Sequence, residues 1–208
     1  MTQIRLTNDM RRYVINGSEY PRVTDICSII RRPGLEKWKI EKGMEESTRI
    51  AKETAEYGDL VHEVTMWNDL NRMDKVDEML KTYDYLVPPW VAWFDWAGEY
   101  IKKILYVELI VWSNKWRCAG KIDLVAIMKG DRSPSILDKK TGSLYDEIGI
   151  QLHAYKLLYN ENHNPVVKRT LAIQLPRIDP GSIHVKEYDK PKHTEAFKSA
   201  VKLYYATK

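Results

Sequence analysis

Apolar residues recur along the chain with two periods, and the change from one to the other divides it. Between residues 46 and 71, Ala51, Thr54, Ala55, Gly58, Val61, His62, Thr65 and Leu70 fall on one helical stripe, which predicts a long amphipathic helix. Before it, Val23, Ile26, Cys27 and Ile30 predict a helix capped by Thr24 and stopped at Arg31-Arg32-Pro33-Gly34, and Leu35, Trp38 and Ile40 a second short one. After it come a charged helical piece at 73–86, Pro88-Pro89, and an aromatic helix with Trp90, Trp93, Ala97, Tyr100 and Ile104 on one side. That stripe reads as core, with a base-stacking platform as the alternative.

From residue 106 the period becomes two. Residues 106–113 and 116–128 predict an antiparallel hairpin turning at Ser113-Asn114-Lys115. The run 121–128 is apolar on both parities, as in a strand covered on two faces. A strand at 135–140 follows, broken by Thr141-Gly142, then a helix capped by Ser143 or Asp146 that carries Gln151 and Tyr155. A loop at 160–165, strands at 166–175 and 182–188 around an Asp179-Pro180-Gly181 turn, and an amphipathic helix at 194–205 with Phe197, Ala200, Val201 and Tyr204 complete the chain. Residues 1–22 read as an irregular or short-strand lead-in. The expected fold is α/β, a mixed central sheet with helices on both sides. One domain over 1–208 is expected, with a helical part at 23–103, a sheet core at 104–188 and the terminal helix.

Two carboxylates disturb this pattern. Asp123 shares a strand face with Val125 and Ile127, and Asp138 sits between Ile136 and Lys140 on the next strand. An ionised group is left inside a protein only when it is paired or holds a metal, so the two mark a candidate site. Strand alternation aims Asp138 and Lys140 the same way, with backbone positions about 6–7 Å apart. Gln151 and Tyr155, four apart, share a helix face. His62 lies one turn after Gly58, whose missing side chain admits a close neighbour. A histidine on such a stripe is by itself more often a hydrogen-bonded core residue. Glu108 also interrupts an apolar run.

Composition narrows the classes. The chain has 208 residues, 44% hydrophobic and 30% charged, which is ordinary for a soluble globular protein that needs no staples. A net charge of +4 permits a polyanionic partner without establishing one. Arg11, Arg12 and Arg22 make the lead-in basic. Arg31, Arg32, Lys37 and Lys39 gather around Trp38, either as a phosphate and base contact or as a solvated helix face. With two cysteines, Cys27 and Cys118, and no apolar leader, the expected setting is reducing and cytoplasmic. No apolar stretch approaches the ~18 residues of a membrane span.

The segments Gly120-Lys-Ile-Asp123, Ile136-Leu-Asp138-Lys139-Lys140-Thr-Gly, Gln151-Leu-His-Ala-Tyr155 and, upstream, Gly58-Asp-Leu-Val-His62-Glu63 stand in a fixed order. Together they resemble the PD-(D/E)XK nuclease superfamily in its RecB-like exonuclease branch, and Tyr20-Pro-Arg-Val-Thr24-Asp-Ile is similar to the opening of phage members. The resemblance covers 20–159. One D-x-K alone recurs by chance; four boxes in order are far more specific. The resemblance implies Asp123, Asp138 and the Lys139 backbone carbonyl as oxygen ligands of Mg2+ or Mn2+, with a nitrogen from His62. It makes Glu108 a further ligand or an acceptor behind one, with a plain edge-strand glutamate as the alternative. Lys140 would orient or help deprotonate the attacking water, and Gln151 and Tyr155 would position DNA or the lysine, or simply pack the helix. The four-cysteine iron–sulfur cluster of some branch members cannot be built from two cysteines, so none is expected. The implied function is a metal-dependent deoxyribonuclease, an exonuclease of recombination or repair, phage-encoded and partnered by an annealing protein. The alternatives are a structure-specific or nicking endonuclease with the same site and a non-catalytic nucleic-acid-binding protein on the same fold. A buried ion pair is the structural alternative for Asp123, Asp138 and Lys140.

Overall fold

The computed structural model describes residues 4–7 and 12–207. Arg11 of the basic lead-in and the first three residues lie outside the described residues. The lead-in is more regular than its composition suggests: β1 (Ile4–Leu6), β2 (Arg12–Ile15) and β3 (Ser18–Pro21) form an antiparallel three-stranded sheet. Asn16 and Gly17, at φ 48° and 84°, make the β2–β3 turn, the conformation that an Asn-Gly pair adopts in a tight hairpin. Tyr13 and Ile15 seat this small sheet on Ala119, with Ile110 and Trp112 alongside.

The helices come next: α1 (Val23–Cys27), α2 (Pro33–Lys42), α3 (Met44–Asp69), α4 (Met73–Thr82) and, after a 3-10 turn at Asp84–Leu86, α5 (Val87–Tyr100). Thr24 does not cap α1; the cap position is Arg22, whose N–H and guanidinium both reach the Asp25 carboxylate. Pro33 opens α2 at its first turn, where its missing N–H costs nothing. In α3 the helical period holds, but Ala51, Thr54 and Ala55 are exposed and burial is concentrated at Val61, Val64 and Thr65. The aromatic stripe is core in its middle: Trp93 is fully buried and Trp96 nearly so.

The main sheet holds β4 (Ile101–Ser113), β5 (Cys118–Met128), β6 (Pro134–Lys140), β7 (Arg169–Gln174) and β8 (His184–Glu187) in sequence order. Only β6 and β7 are parallel, joined across the sheet by α6 (Ile148–Asn162); the other pairs are antiparallel. Ile104, expected on the aromatic helix, instead lies on β4 and pairs with Ala126 of β5. Pairing along β5 outweighs the helical spacing there. Helices α1, α6 and α7 (Pro191–Ala206) share a core with Ile122, Val125 and Ile136 of one face. Helices α3, α4 and α5 cover Leu124, Ala126, Leu137 and Leu171 on the other. The mixed sheet flanked by helices is the α/β fold expected. Glu147, not Ser143 or Asp146, takes the cap position of α6; Asp146 pairs with Lys192 and lies 3.4 Å from His193. Among the described residues no helix is long and apolar enough to cross a membrane.

Candidate active site

Strands β5 and β6 pair from Ile127↔Pro134 to Leu124↔Leu137, and there the ladder stops. Continued by one residue it would set Asp123 against Asp138. Instead the Lys139 N–H turns away from the ladder and donates to Asp123 Oδ2 at 2.8 Å. Strand β6 runs on with β7 as far as Lys140↔Gln174, so the sheet forks between the two carboxylates. On the Asp138 side of the fork, Lys140 Nζ lies 2.6 Å from Asp138 Oδ2, as strand alternation requires. From α3, His62 Nδ1 comes to 3.3 Å from Asp123 Oδ2. A Cβ on Gly58, one turn earlier, would lie in ordinary contact, 3.4 Å from Thr141 Oγ1, just past the end of β6.

The charges at the fork do not cancel. Asp138 is buried, and its Oδ2 has no aligned hydrogen bond although Lys140 is close. Burial and the nearby Asp123 charge hold the Asp138 carboxyl above the usual carboxylate range, against the pull of Lys140. Burial also opposes the charge on Asp123, but His62, Lys140 and Lys139, with the Lys139 N–H bond, outweigh it and hold Asp123 below that range. For Lys140, Asp138 and Asp123 outweigh burial and keep the ammonium protonated. Two neighbouring carboxylates of opposite tendency beside one ammonium form a site that would accept further positive charge.

The model of the PD-(D/E)XK nuclease superfamily matches residues 37–207, which include the whole fork. The chain belongs to the PD-(D/E)XK nuclease superfamily. No curated protein matches the chain. The solved structure named "Crystal structure of SSO0001" is similar at 17% identity with a TM-score of 0.39, over 89% of this chain and 73% of that chain.

Members of the PD-(D/E)XK superfamily generally use divalent metals. Among the described residues no three His, Cys, Asp or Glu side chains form a ready-made cage. The donors at the fork nevertheless fit an ion. Adjacent ligands of an octahedral dication at about 2.1 Å stand about 3 Å apart, and His62 Nδ1 and Asp123 Oδ2 are separated by 3.3 Å. Asp138 Oδ2, buried 2.6 Å from Lys140 Nζ, offers a further oxygen.

The other expected site residues fall unevenly. Glu108 stands in edge strand β4 at φ 54° and pairs with Lys121. Gln151 Nε2 donates to the Tyr155 hydroxyl at 3.0 Å, but Tyr155 is only 4% exposed. Its ring lies against Gly120, where a Cβ would meet Tyr155 Cε1 at 2.5 Å. Tyr155 packs α6 onto β5, and burial, with the Asp138 charge, pushes its hydroxyl well above its ordinary range. Gln151 is the half-buried member of the pair. Arg31 and Arg32 are exposed beside α2, which fully buries no residue; Arg31 pairs with Glu36 at 2.9 Å, and Trp38 is half-buried on that helix.

The Lys139 side chain was missed by sequence reasoning. It projects to the opposite face, where Nζ donates to Asp69 Oδ2 at 2.5 Å and Thr65 Oγ1 at 3.1 Å and lies 4.5 Å from the centre of the Trp93 ring. Trp93 Nε1 donates to the other Asp69 oxygen at 2.7 Å. A signal was present: alternation puts Lys139 with Leu137 on a covered face, and a buried lysine needs an anion.

Proposed function

We propose that the protein is a metal-dependent deoxyribonuclease of the RecB-like branch, an exonuclease that degrades DNA from its ends in recombination or repair. The observation that carries this reading is the fork itself: Asp123 and Asp138 where the β5–β6 ladder ends, with Lys140 2.6 Å from one and His62 3.3 Å from the other. The order of the Gly58–His62, Asp123, Asp138–Lys140 and Gln151–Tyr155 segments supports the branch. A phage-encoded enzyme working in the cytoplasm beside an annealing protein is consistent with it.

In this reading Asp123 and Asp138 hold Mg2+ or Mn2+ through their carboxylates, His62 through its ring and Lys139 through its backbone carbonyl. The bound cation supplies charge neutralisation at the phosphate and a water of lowered pKa. The Lys139 N–H bond and His62 keep Asp123 oriented and ionised. Lys140, held as an ammonium by the two carboxylates, orients the attacking water and opposes the charge that builds on the phosphate. Gln151, steadied by the Tyr155 hydroxyl, is available to position the strand.

The test is cleavage of end-labelled linear duplex, single strand and covalently closed circle in Mg2+ and in Mn2+. Loss of linear DNA with survival of the circle is the expected result. Cutting of the circle would replace the exonuclease with an endonuclease using the same residues. Binding without cleavage in either metal would leave a nucleic-acid-binding protein.

A further inference from the structure

We propose that Lys139 is a positioning residue whose side chain, gripped by Asp69 and Thr65, sets the distance between His62 and Asp123. The proposal rests on the metal-dependent reading above. Its basis is a ring of contacts that closes on one oxygen atom. Asp123 Oδ2 accepts the Lys139 N–H at 2.8 Å and lies 3.3 Å from His62 Nδ1. From the same residue, Lys139 Nζ reaches through the sheet to Asp69 at 2.5 Å and Thr65 at 3.1 Å. Both partners stand on α3, the helix that carries His62, and the Thr65 hydroxyl donates onward to the carbonyls of Val61 and His62 at 2.8 and 3.1 Å. One residue of β6 therefore holds Asp123 by its backbone and the His62 helix by its side chain.

Packing alone does not require this arrangement, since an apolar side chain beside Leu137 would fill the same core. A buried ion pair replaced by apolar groups often leaves stability unchanged or improved, and its best-attested use is to fix one register. Here the register is that of α3 against β6. A shift of the helix along the strand would carry His62 away from Asp123 while leaving both residues intact.

The experiment is Mn2+ binding by isothermal titration calorimetry with wild type, Lys139→Met/Asp69→Asn, His62→Ala and the triple variant. The amide introduced by Asp69→Asn keeps an acceptor for Trp93, and both buried charges are gone. The expected result is a thermal midpoint close to wild type and a Mn2+ Kd about tenfold weaker, the usual scale for residues that orient a ligand. In the His62→Ala background the same pair of substitutions should add no further loss, because the clamp acts through that ring. Thr65→Val, which deletes one grip and no charge, should weaken binding by about threefold and serves if the double variant does not fold. An unchanged Kd in the double variant, or in Thr65→Val where that is the folded one, overturns the proposal and leaves the nuclease reading standing. Additive losses with His62→Ala overturn it as well. No Mn2+ binding by the wild type overturns both.

Discussion

Strand β6 carries two lysine–aspartate pairs, one on each face, and they are built differently. On the α3 side, Lys139 and Asp69 are almost fully buried and fully occupied: the carboxylate takes Lys139 and Trp93, and the ammonium takes Asp69, Thr65 and the face of Trp93. On the α6 side, Lys140 lies 2.6 Å from Asp138 without an aligned hydrogen bond, a second carboxylate stands nearby, and the lysine side chain is 25% exposed. Buried polar groups are normally satisfied, so the unfinished pair stands out. The same two residue types thus give a closed clamp on one face and an open site on the other. What separates them is whether the surrounding elements supply the remaining partners. Helix α3 does so for Lys139; at the fork beyond Leu124 and Leu137 the buried Asp138 carboxylate is met by the partly exposed Lys140.

The comparison can be broken by substitution, and the largest effect belongs on the open face. Asp123→Asn should lower metal-supported cleavage about 10³-fold while the thermal midpoint hardly moves, since a like charge beside Asp138 is removed. An equal loss of stability and rate would make the fork an ordinary buried ion pair. On the closed face the currency is stability. Lys139→Met alone leaves Asp69 buried without its cation and should cost about 3 kcal/mol in urea unfolding. Lys140→Met should cost clearly less stability in the same assay yet reduce cleavage about 100-fold. If the two lysines behaved alike, the distinction between the faces would be lost.

Smaller effects sharpen the boundary of the open site. Gly120→Ala drives a methyl group to within 2.5 Å of the fully packed Tyr155 ring, so it should cost about 2 kcal/mol by overpacking. Relief of most of that loss in Gly120→Ala/Tyr155→Leu would identify the ring as the cause. The smallest effect is a pH dependence away from both pairs. His153 is buried, with Nε2 on the Tyr188 carbonyl at 2.9 Å, Nδ1 2.8 Å from Thr194 Oγ1, and the His193 ring edge-on against it. Burial lowers its pKa from 6.5, so the unfolded chain binds the proton first on acidification. Stability should therefore fall as pH drops below about 6.5, and His153→Gln should flatten that slope. Asp138, whose carboxyl is raised, contributes with the opposite sign at lower pH.

Alternation and spacing along the chain determined a good deal of this protein. The apolar parities of 121–128 required a strand covered on both faces, and Asp138 and Lys140 had to point together because their backbone positions are two apart. The Asp123, Asp138–Lys140 and His62 boxes could be ordered without coordinates because each is local. Elsewhere neighbours in space overruled local preference. Ile104 left the helical stripe for β4 because β5 was there to pair with it. Tyr155 became packing because Gly120 leaves room for its ring, and Glu108 met Lys121 across the hairpin. The fork, the turned Lys139 N–H and the reach of Lys139 to Asp69 involve partners 16 and 70 residues apart. Periodicity assigns a side chain to a face, but only chain closure over such separations decides which charge is waiting on that face.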